Sequence, residues 1–119
     1  MPIFKSYFFE ISGTVPSSLV FPQSGTVREI SIQGSLTSAA AAFAGVYAVR
    51  QVATFGPSEL PNERVLAGFQ LEIQASGQVV NTQVVHPNAK FLATEKLWLY
   101  PTTSAGSLRS NMVVIVEYQ

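Results

Sequence analysis

Cysteine and aspartate are both missing from this chain of 119 residues. Without cysteine the chain has no disulfides and no thiolate ligands for a metal, so redox chemistry says nothing about its compartment. Charged residues are also scarce: they make up 12% of the chain, about half of the fraction that is typical of soluble domains. Seven Lys and Arg balance seven Glu. Because no basic excess is available to neutralise phosphates, we expect no nucleic-acid partner.

Segments that would direct the chain to a membrane are not evident in the sequence. Residues 1–5 lack the basic region and the following apolar run of a secretory signal. No apolar run approaches the ~20 residues that a bilayer span needs. We therefore expect no membrane span.

Catalytic residue sets are missing as well. His86 is the only histidine, and it precedes a Pro-Asn pair in an expected turn, which favours a solvent-facing side chain. Glu59 and Glu63 lie close together but in a proline-rich loop, which favours a solvated loop over a catalytic pair. The sequence has no nucleophile elbow and no glycine-rich phosphate loop. We predict that the chain is not an enzyme and holds no cofactor and no metal.

What the chain does contain is short apolar stretches separated by turn residues about every ten positions. Hydrophobic residues reach 47%, which is enough for a core. This spacing predicts an all-β fold, an antiparallel β-sandwich of jelly-roll type with about eight strands, in a single domain over residues 1–119. The predicted strands cover residues 3–12, 26–34, 45–55, 65–74, 79–85, 96–100 and 112–116, with a weaker edge strand in 14–21. In the strand 65–74, alternation predicts that Phe69, Leu71 and Ile73 face inwards. In the strand 3–12, one face is predicted to hold Ile3, Tyr7, Phe9 and Ile11, and the other Phe4 and Phe8 with Ser6, Glu10 and Ser12.

The region 36–43 is open to two interpretations. It contains a run of four alanines, Ala39 to Ala42, and alanine has the highest helix propensity. A segment this short is a marginal helix without packing. The sequence is therefore compatible with at most one short helix near 36–43, or with a loop of small residues under the sheet.

The last two predicted strands are apolar at successive positions. Since successive side chains of a strand point to opposite faces, we expect residues 96–100 and 112–116 to form a hairpin that is covered on both faces. One face would meet the core and the other a partner chain. The candidate interface residues are Trp98, Tyr100, Met112, Val114, Val116 and Tyr118. The alternatives are that these side chains belong to the core, or that Trp98 and Tyr100 stack on a sugar ring.

The closing pattern resembles small jelly-roll structural proteins of bacteriophage and other virus particles, of the capsid accessory, decoration or spike type. The residues that carry this resemblance are Glu95 to Tyr100, a Ser/Thr/Gly loop, and then Met112 to Tyr118. Tumour-necrosis-factor-like and C1q-like trimeric heads have a similar style of closing strands. Neither resemblance carries functional residues over to this chain.

Two functions follow as hypotheses. The first is a non-enzymatic structural protein located in the virion, which forms a homo-oligomer or packs on capsid proteins. Low charge and strands that are apolar on both faces favour it, because exposed apolar area marks contact sites. The second is a carbohydrate-binding or receptor-binding module, so a glycan remains a possible partner.

Overall fold

The computed structural model describes residues 3–51 and 65–119, and within these ranges the chain forms nine β-strands and no helix. The predicted all-β fold is confirmed. The strands are β1 (Ile3–Ser12), β2 (Ser17–Val20), β3 (Gly25–Ser38), β4 (Ala42–Gln51), β5 (Val65–Ile73), β6 (Gly77–Val85), β7 (Ala89–Phe91), β8 (Lys96–Thr103) and β9 (Ser107–Tyr118).

The strands form two antiparallel sheets. The larger sheet has the order β1-β9-β3-β6, and the short strand β7 pairs with β3 beyond the end of β6. The smaller sheet has the order β2-β8-β4-β5. Two sheets of this kind bury one face each against the other, which is the arrangement of a sandwich.

The order of pairing identifies the sandwich as a jelly roll. Apart from β7, the first strand pairs with the last, β1 with β9, and the next pair inwards is β2 with β8. The series continues with β3 and β6, and ends with β4 and β5. The chain is therefore one long hairpin rolled into two sheets, as the prediction of a jelly-roll-like sandwich requires. The tip of this hairpin, between residues 51 and 65, lies outside the described residues.

The core lies between the sheets and is built from the inner rows of the strands. On β9 every second side chain points inwards, from Leu108 to Tyr118. Their counterparts on the smaller sheet include Val46 and Leu99, both fully buried. The inner-facing residues without solvent exposure are Ile30, Ile32, Leu36, Val46, Ala48, Leu97, Leu99, Val114 and Val116.

A β-bulge in β3 explains an apparent break in its alternation. Val27 and Ile30 are both buried, at 2% and 0% exposure, although they are three positions apart. A regular strand would place them on opposite faces. The register against β9 shifts between Val27 and Glu29, so one extra residue resets the phase of the strand.

The helix considered near 36–43 does not form. β3 continues to Ser38 and β4 begins at Ala42, so too few residues remain between them for a helix. Ser38 Oγ accepts a hydrogen bond from the N–H of Ala40 at 3.2 Å in the bend that joins the strands. Ala42 and Ala44 are 1% and 6% exposed, so these alanines serve as small inner-facing strand residues.

The predicted hairpin of the last two long strands is wrong. β8 lies in the smaller sheet between β2 and β4, whereas β9 lies in the larger sheet between β1 and β3. Residues 104–106 carry the chain from one sheet to the other. Ser104 is fixed to β4 because its N–H donates to the carbonyl of Phe43 and its Oγ accepts from the N–H of Phe43, both at 2.8 Å. The two strands thus face each other across the core instead of pairing.

The predicted strand faces are largely confirmed. On β1 Tyr7, Phe9 and Ile11 turn towards the core, while Phe4 and Phe8 turn outwards. Ile3, which was predicted on the face of Tyr7, is 61% exposed at the start of the strand and does not join the core. The weak strand in 14–21 is β2, an edge strand as expected. On β5 the inner row predicted from alternation is also observed, with Phe69 partly buried and Leu71 and Ile73 at 2% and 7% exposure. The predicted loop at 56–63 lies outside the described residues.

A pair of tyrosines closes one end of the core. The hydroxyl groups of Tyr7 on β1 and Tyr118 on β9 are hydrogen-bonded at 2.5 Å. The Tyr118 ring also makes an edge contact with Phe91, which stacks on Phe21. Burial, then the hydrogen bond to Tyr7, raises the pKa of Tyr118 above the usual value of 10.0 for tyrosine.

We expect Leu71→Ala to lower the free energy of unfolding by about 2–5 kcal/mol, because it leaves a cavity between the sheets. Gln70→Ala is the matched control, since Gln70 is the exposed neighbour on the same strand. Urea unfolding followed by circular dichroism measures both. Equal losses for the two variants would contradict the assigned faces of β5.

We expect stability to fall as the pH rises above about 10, because the unfolded chain loses its tyrosine protons there while Tyr118 in the folded chain retains its proton. Below pH 10 this contribution is fully present. Urea unfolding at pH 9 and at pH 11 measures the loss, and Tyr118→Phe should reduce it. An unchanged loss in Tyr118→Phe would assign the effect to other groups.

Candidate subunit-contact surface

Four of the candidate interface residues lie on the inner row of β9. Met112, Val114, Val116 and Tyr118 are exposed by 1%, 0%, 0% and 4%. They face the smaller sheet and belong to the core of one subunit. A partner chain would reach these side chains only if the two sheets separated. Any partner contact along β9 must therefore use the opposite row of the strand, which contains Val113 and Ile115.

Trp98 and Tyr100, the other two candidates, lie on the outer row of β8. Their rings stack with centroids 6.0 Å apart and an angle of 28° between the planes. Tyr100 is 7% exposed and Val49 on β4 is fully buried, and the partly buried Tyr47 and Trp98 pack against these two residues. This outer aromatic cluster leaves little of Tyr100 for a sugar ring, and burial raises the pKa of its hydroxyl.

The outer face of the larger sheet presents exposed apolar side chains. Phe4 and Phe8 on β1 are 60% and 62% exposed, and Val80 and Val84 on β6 are 53% and 51% exposed. Register connects the two edges, because Phe8 lies opposite Val113, Val113 opposite Ser31, and Ser31 opposite Val84. An uncharged row thus crosses all four long strands of the sheet. We call this surface the apolar face.

The row beside it is polar but almost uncharged. Glu10, Asn111, Gln33 and Thr82 follow one another across the same four strands. A concave region of about 700 Å³ begins at this row. Glu10 is the only charged member of the row, so the middle of this face has little that would oppose contact with a similar surface.

Most charged side chains of this sheet lie at one end, whereas Glu10 and the exposed Arg109 lie towards the other end. Arg28 Nε donates to Glu117 at 2.7 Å and Arg28 Nη1 donates to Asn88 at 3.0 Å. His86 Nε2 lies 3.0 Å from a carboxylate oxygen of Glu29. The His86 side chain is 67% exposed just after the end of β6, as the expected solvent-facing turn residue requires. These partly exposed pairs contribute little stability.

A groove of about 480 Å³ lies on the outer face of the smaller sheet. Tyr47 forms part of its wall, and a β-carbon at Gly45 would lie 2.5 Å from the Tyr47 ring, so the glycine is what lets the ring lie against the sheet. Gln70 Nε2 donates to the Tyr47 hydroxyl at 3.2 Å. Phe43, which is 64% exposed, also lines the groove, together with Thr102, Thr103 and Ser104.

Among residues 3–51 and 65–119, no three His, Asp or Glu side chains come together in a way that would hold a metal ion. Glu59 and Glu63 lie outside these ranges. No helix long and apolar enough to cross a bilayer occurs in the described part of the chain.

Phe4 and Phe8 are the surface residues that sequence reasoning missed. Alternation already placed them on the polar side of β1 with Ser6 and Glu10. Two phenylalanines in an otherwise polar row are the signal of a contact face. Val80 and Val84 could not be recognised as surface residues from the sequence, because β6 has valines on both of its faces and either face could point inwards.

Comparison with known proteins finds no matching family model and no curated protein similar in sequence. Solved structures do align over the whole chain. A chain of turnip yellow mosaic virus at 100 K aligns over 99% of this chain and 92% of its own length, with 12% identity and a TM-score of 0.47. A second turnip yellow mosaic virus structure aligns over 100% of this chain and 94% of its own length, with 12% identity and a TM-score of 0.45. A structure of desmodium yellow mottle tymovirus aligns over 99% of this chain and 87% of its own length, with 12% identity and a TM-score of 0.41. We infer no function from similarities at this level.

Proposed function

We propose that this chain is a non-enzymatic structural protein of a virus particle, which packs against other copies of itself or against capsid proteins. The finer proposal is a minor capsid, decoration or spike component of a bacteriophage, located in the virion. The apolar face carries this proposal. The jelly roll is a frequent fold of capsid proteins, but it is also used by lectins and cupins, so the fold alone does not decide the function.

The composition of the apolar face supports contact with protein. Four of its side chains, on β1 and β6, are each more than half exposed. Burying a phenylalanine side chain contributes about 1.5–3 kcal/mol, so covering this row would stabilise an assembly substantially. The neighbouring polar row supplies neutral amides and hydroxyls, which pair with many partners without a charge penalty.

The position of the charges supports the same proposal. The ion pairs of the larger sheet lie at one end, around Arg28 and Glu117. Away from that end, the outer face of the described strands carries only Glu10 and Arg109, which are opposite in sign. Low charge over a broad surface favours association.

We expect the unsubstituted (parent) chain to show a mass above that of a monomer in sedimentation experiments. Phe8→Lys should weaken this self-association at least about tenfold, because a charged lysine would replace the phenylalanine ring that the contact buries. Phe43→Lys is the matched control: Phe43 is equally exposed, at 64% against 62%, but lies on the other sheet. A monomeric parent that also fails to bind capsid proteins would refute the proposal. Equal effects of the two variants on self-association would show that the apolar face is not the contact surface.

A carbohydrate-binding module is the second candidate, and the groove beside Phe43 and Tyr47 favours it. The groove combines an exposed aromatic ring with amide and hydroxyl groups. An aromatic ring offers an apolar surface for a sugar, while the neighbouring polar groups offer hydrogen bonds to its hydroxyls.

For this candidate we expect specific binding on a glycan array, reduced at least about tenfold by Phe43→Ala through loss of the apolar contact. Phe8→Ala should leave the binding unchanged. An array without a specific signal for the parent chain would exclude this candidate.

A further inference from the structure

The outer edge of β6 lacks the features that protect the other edge strands. The edge strands are β1, β6 and the three-residue β7 in the larger sheet, and β2 and β5 in the smaller one. Unpaired N–H and C=O groups on an edge pair readily with another chain, and proteins prevent this with charges, bulges or short strands. β1 contains Lys5 and Glu10, β2 has four residues, and β5 contains Glu72. β6 has nine residues without charge or proline.

The edge of β6 is also regular and open. Its pairing with β3 runs from Ile30 opposite Val85 to Ser38 opposite Gly77 without a register shift. A groove of about 450 Å³ lies between β5 of the other sheet and the end of β6 that contains Gln83 and Val85. The backbone hydrogen bonds of the described residues outside paired strands do not involve β6. One local contact is made by the Asn81 side chain, which accepts from the N–H of Thr82 at 2.8 Å.

We propose that β6 pairs with β6 of a second copy, antiparallel and about a twofold axis at Asn81. This inference rests on the proposed function, since it names one contact of the assembly. A twofold contact brings the same patch of both subunits together, so a strand without charges meets no like charge. Centring on Asn81 overlaps all nine residues and keeps the apolar faces on one side. The opposed pairs are then Gly77 with Val85, Gln78 with Val84, Val79 with Gln83 and Val80 with Thr82.

The pairing would extend the larger sheet across both subunits. Each strand would gain hydrogen bonds for its outward backbone groups other than the Thr82 N–H, which already donates to the Asn81 side chain. Strand addition to an exposed sheet edge forms the same kind of bonds. The uncharged row from Phe8 to Val84 would continue in the second copy through the polar, uncharged residues Gln78, Thr37 and Ser107. The contact closes on itself, because each subunit has one β6 edge and uses it once.

Disulfide cross-linking tests the geometry directly. Opposed residues of an antiparallel pair have Cα atoms about 4.5–5.5 Å apart, within the range of a disulfide. Because the chain has no cysteine, Asn81→Cys provides a single thiol. We expect oxidised Asn81→Cys to run mainly as a covalent dimer on a non-reducing gel. Gln33→Cys is the control, since Gln33 lies opposite Thr82 but one strand away from the edge.

Charge exchange tests the twofold axis. Asn81→Lys and Asn81→Glu each place like charges opposite one another, and we expect each to self-associate about fivefold more weakly than the parent. An equimolar mixture should restore association, because Lys then faces Glu. Gln33→Lys should associate as the parent does. Sedimentation equilibrium measures all four, and thermal unfolding checks that each variant is folded.

The proposal is overturned if Asn81→Cys cross-links no more than Gln33→Cys, or if both charged variants and their mixture associate like the parent. Association of the parent that Phe8→Lys abolishes, while the Asn81 variants retain it, would leave the proposed function standing and reject the β6 contact. A parent that is monomeric and does not bind capsid proteins would reject both.

Discussion

The alternation of side chains along β9 is the constraint on which the structure depends. β9 lies between β1 and β3, so its backbone groups are paired on both sides and only its two faces remain to be assigned. The inner row from Leu108 to Tyr118 forms much of the core. The outer row contains Val113 and Ile115, so apolar residues also reach the surface. With charged residues at 12% of the chain, few are available to make that surface polar. The apolar face follows from these two facts.

Much of the fold was predictable because its signals are local. Alternation along β1 and β5 identified the inner rows, and Phe69, Leu71 and Ile73 were assigned to the correct side. Turn residues divided the chain into short strands, and that spacing is sufficient to predict an all-β sandwich. The proline-containing stretch before β2 identified an edge strand. Each of these signals depends on a few neighbouring residues and on no distant contact.

What the sequence did not predict depends on distant contacts. The loop at 104–106 is short enough for a hairpin, and nothing within it shows that it crosses between sheets. β8 and β9 do not pair because each already has a strand on both sides. β1 and β3 flank β9, whereas β2 and β4 flank β8. For the same reason the inward row of β9 was assigned to a partner, although its counterpart is the smaller sheet. The alanines near 40 have high helix propensity, but packing inside the sandwich outweighs it.

The position of β9 in the chain has a consequence for folding during synthesis. β9, an inner strand of the larger sheet, is made after β1 to β8. In the part of the chain that the structure describes, β1 therefore has no strand partner until residues 107–118 have left the ribosome. β3 is paired on only one side until then. A nascent chain therefore exposes two apolar strands with unpaired backbone, a state that is open to wrong pairing with neighbouring chains. Synthesis of the twelve-residue β9 is thus the step that completes the pairing of β1 and β3 in the larger sheet.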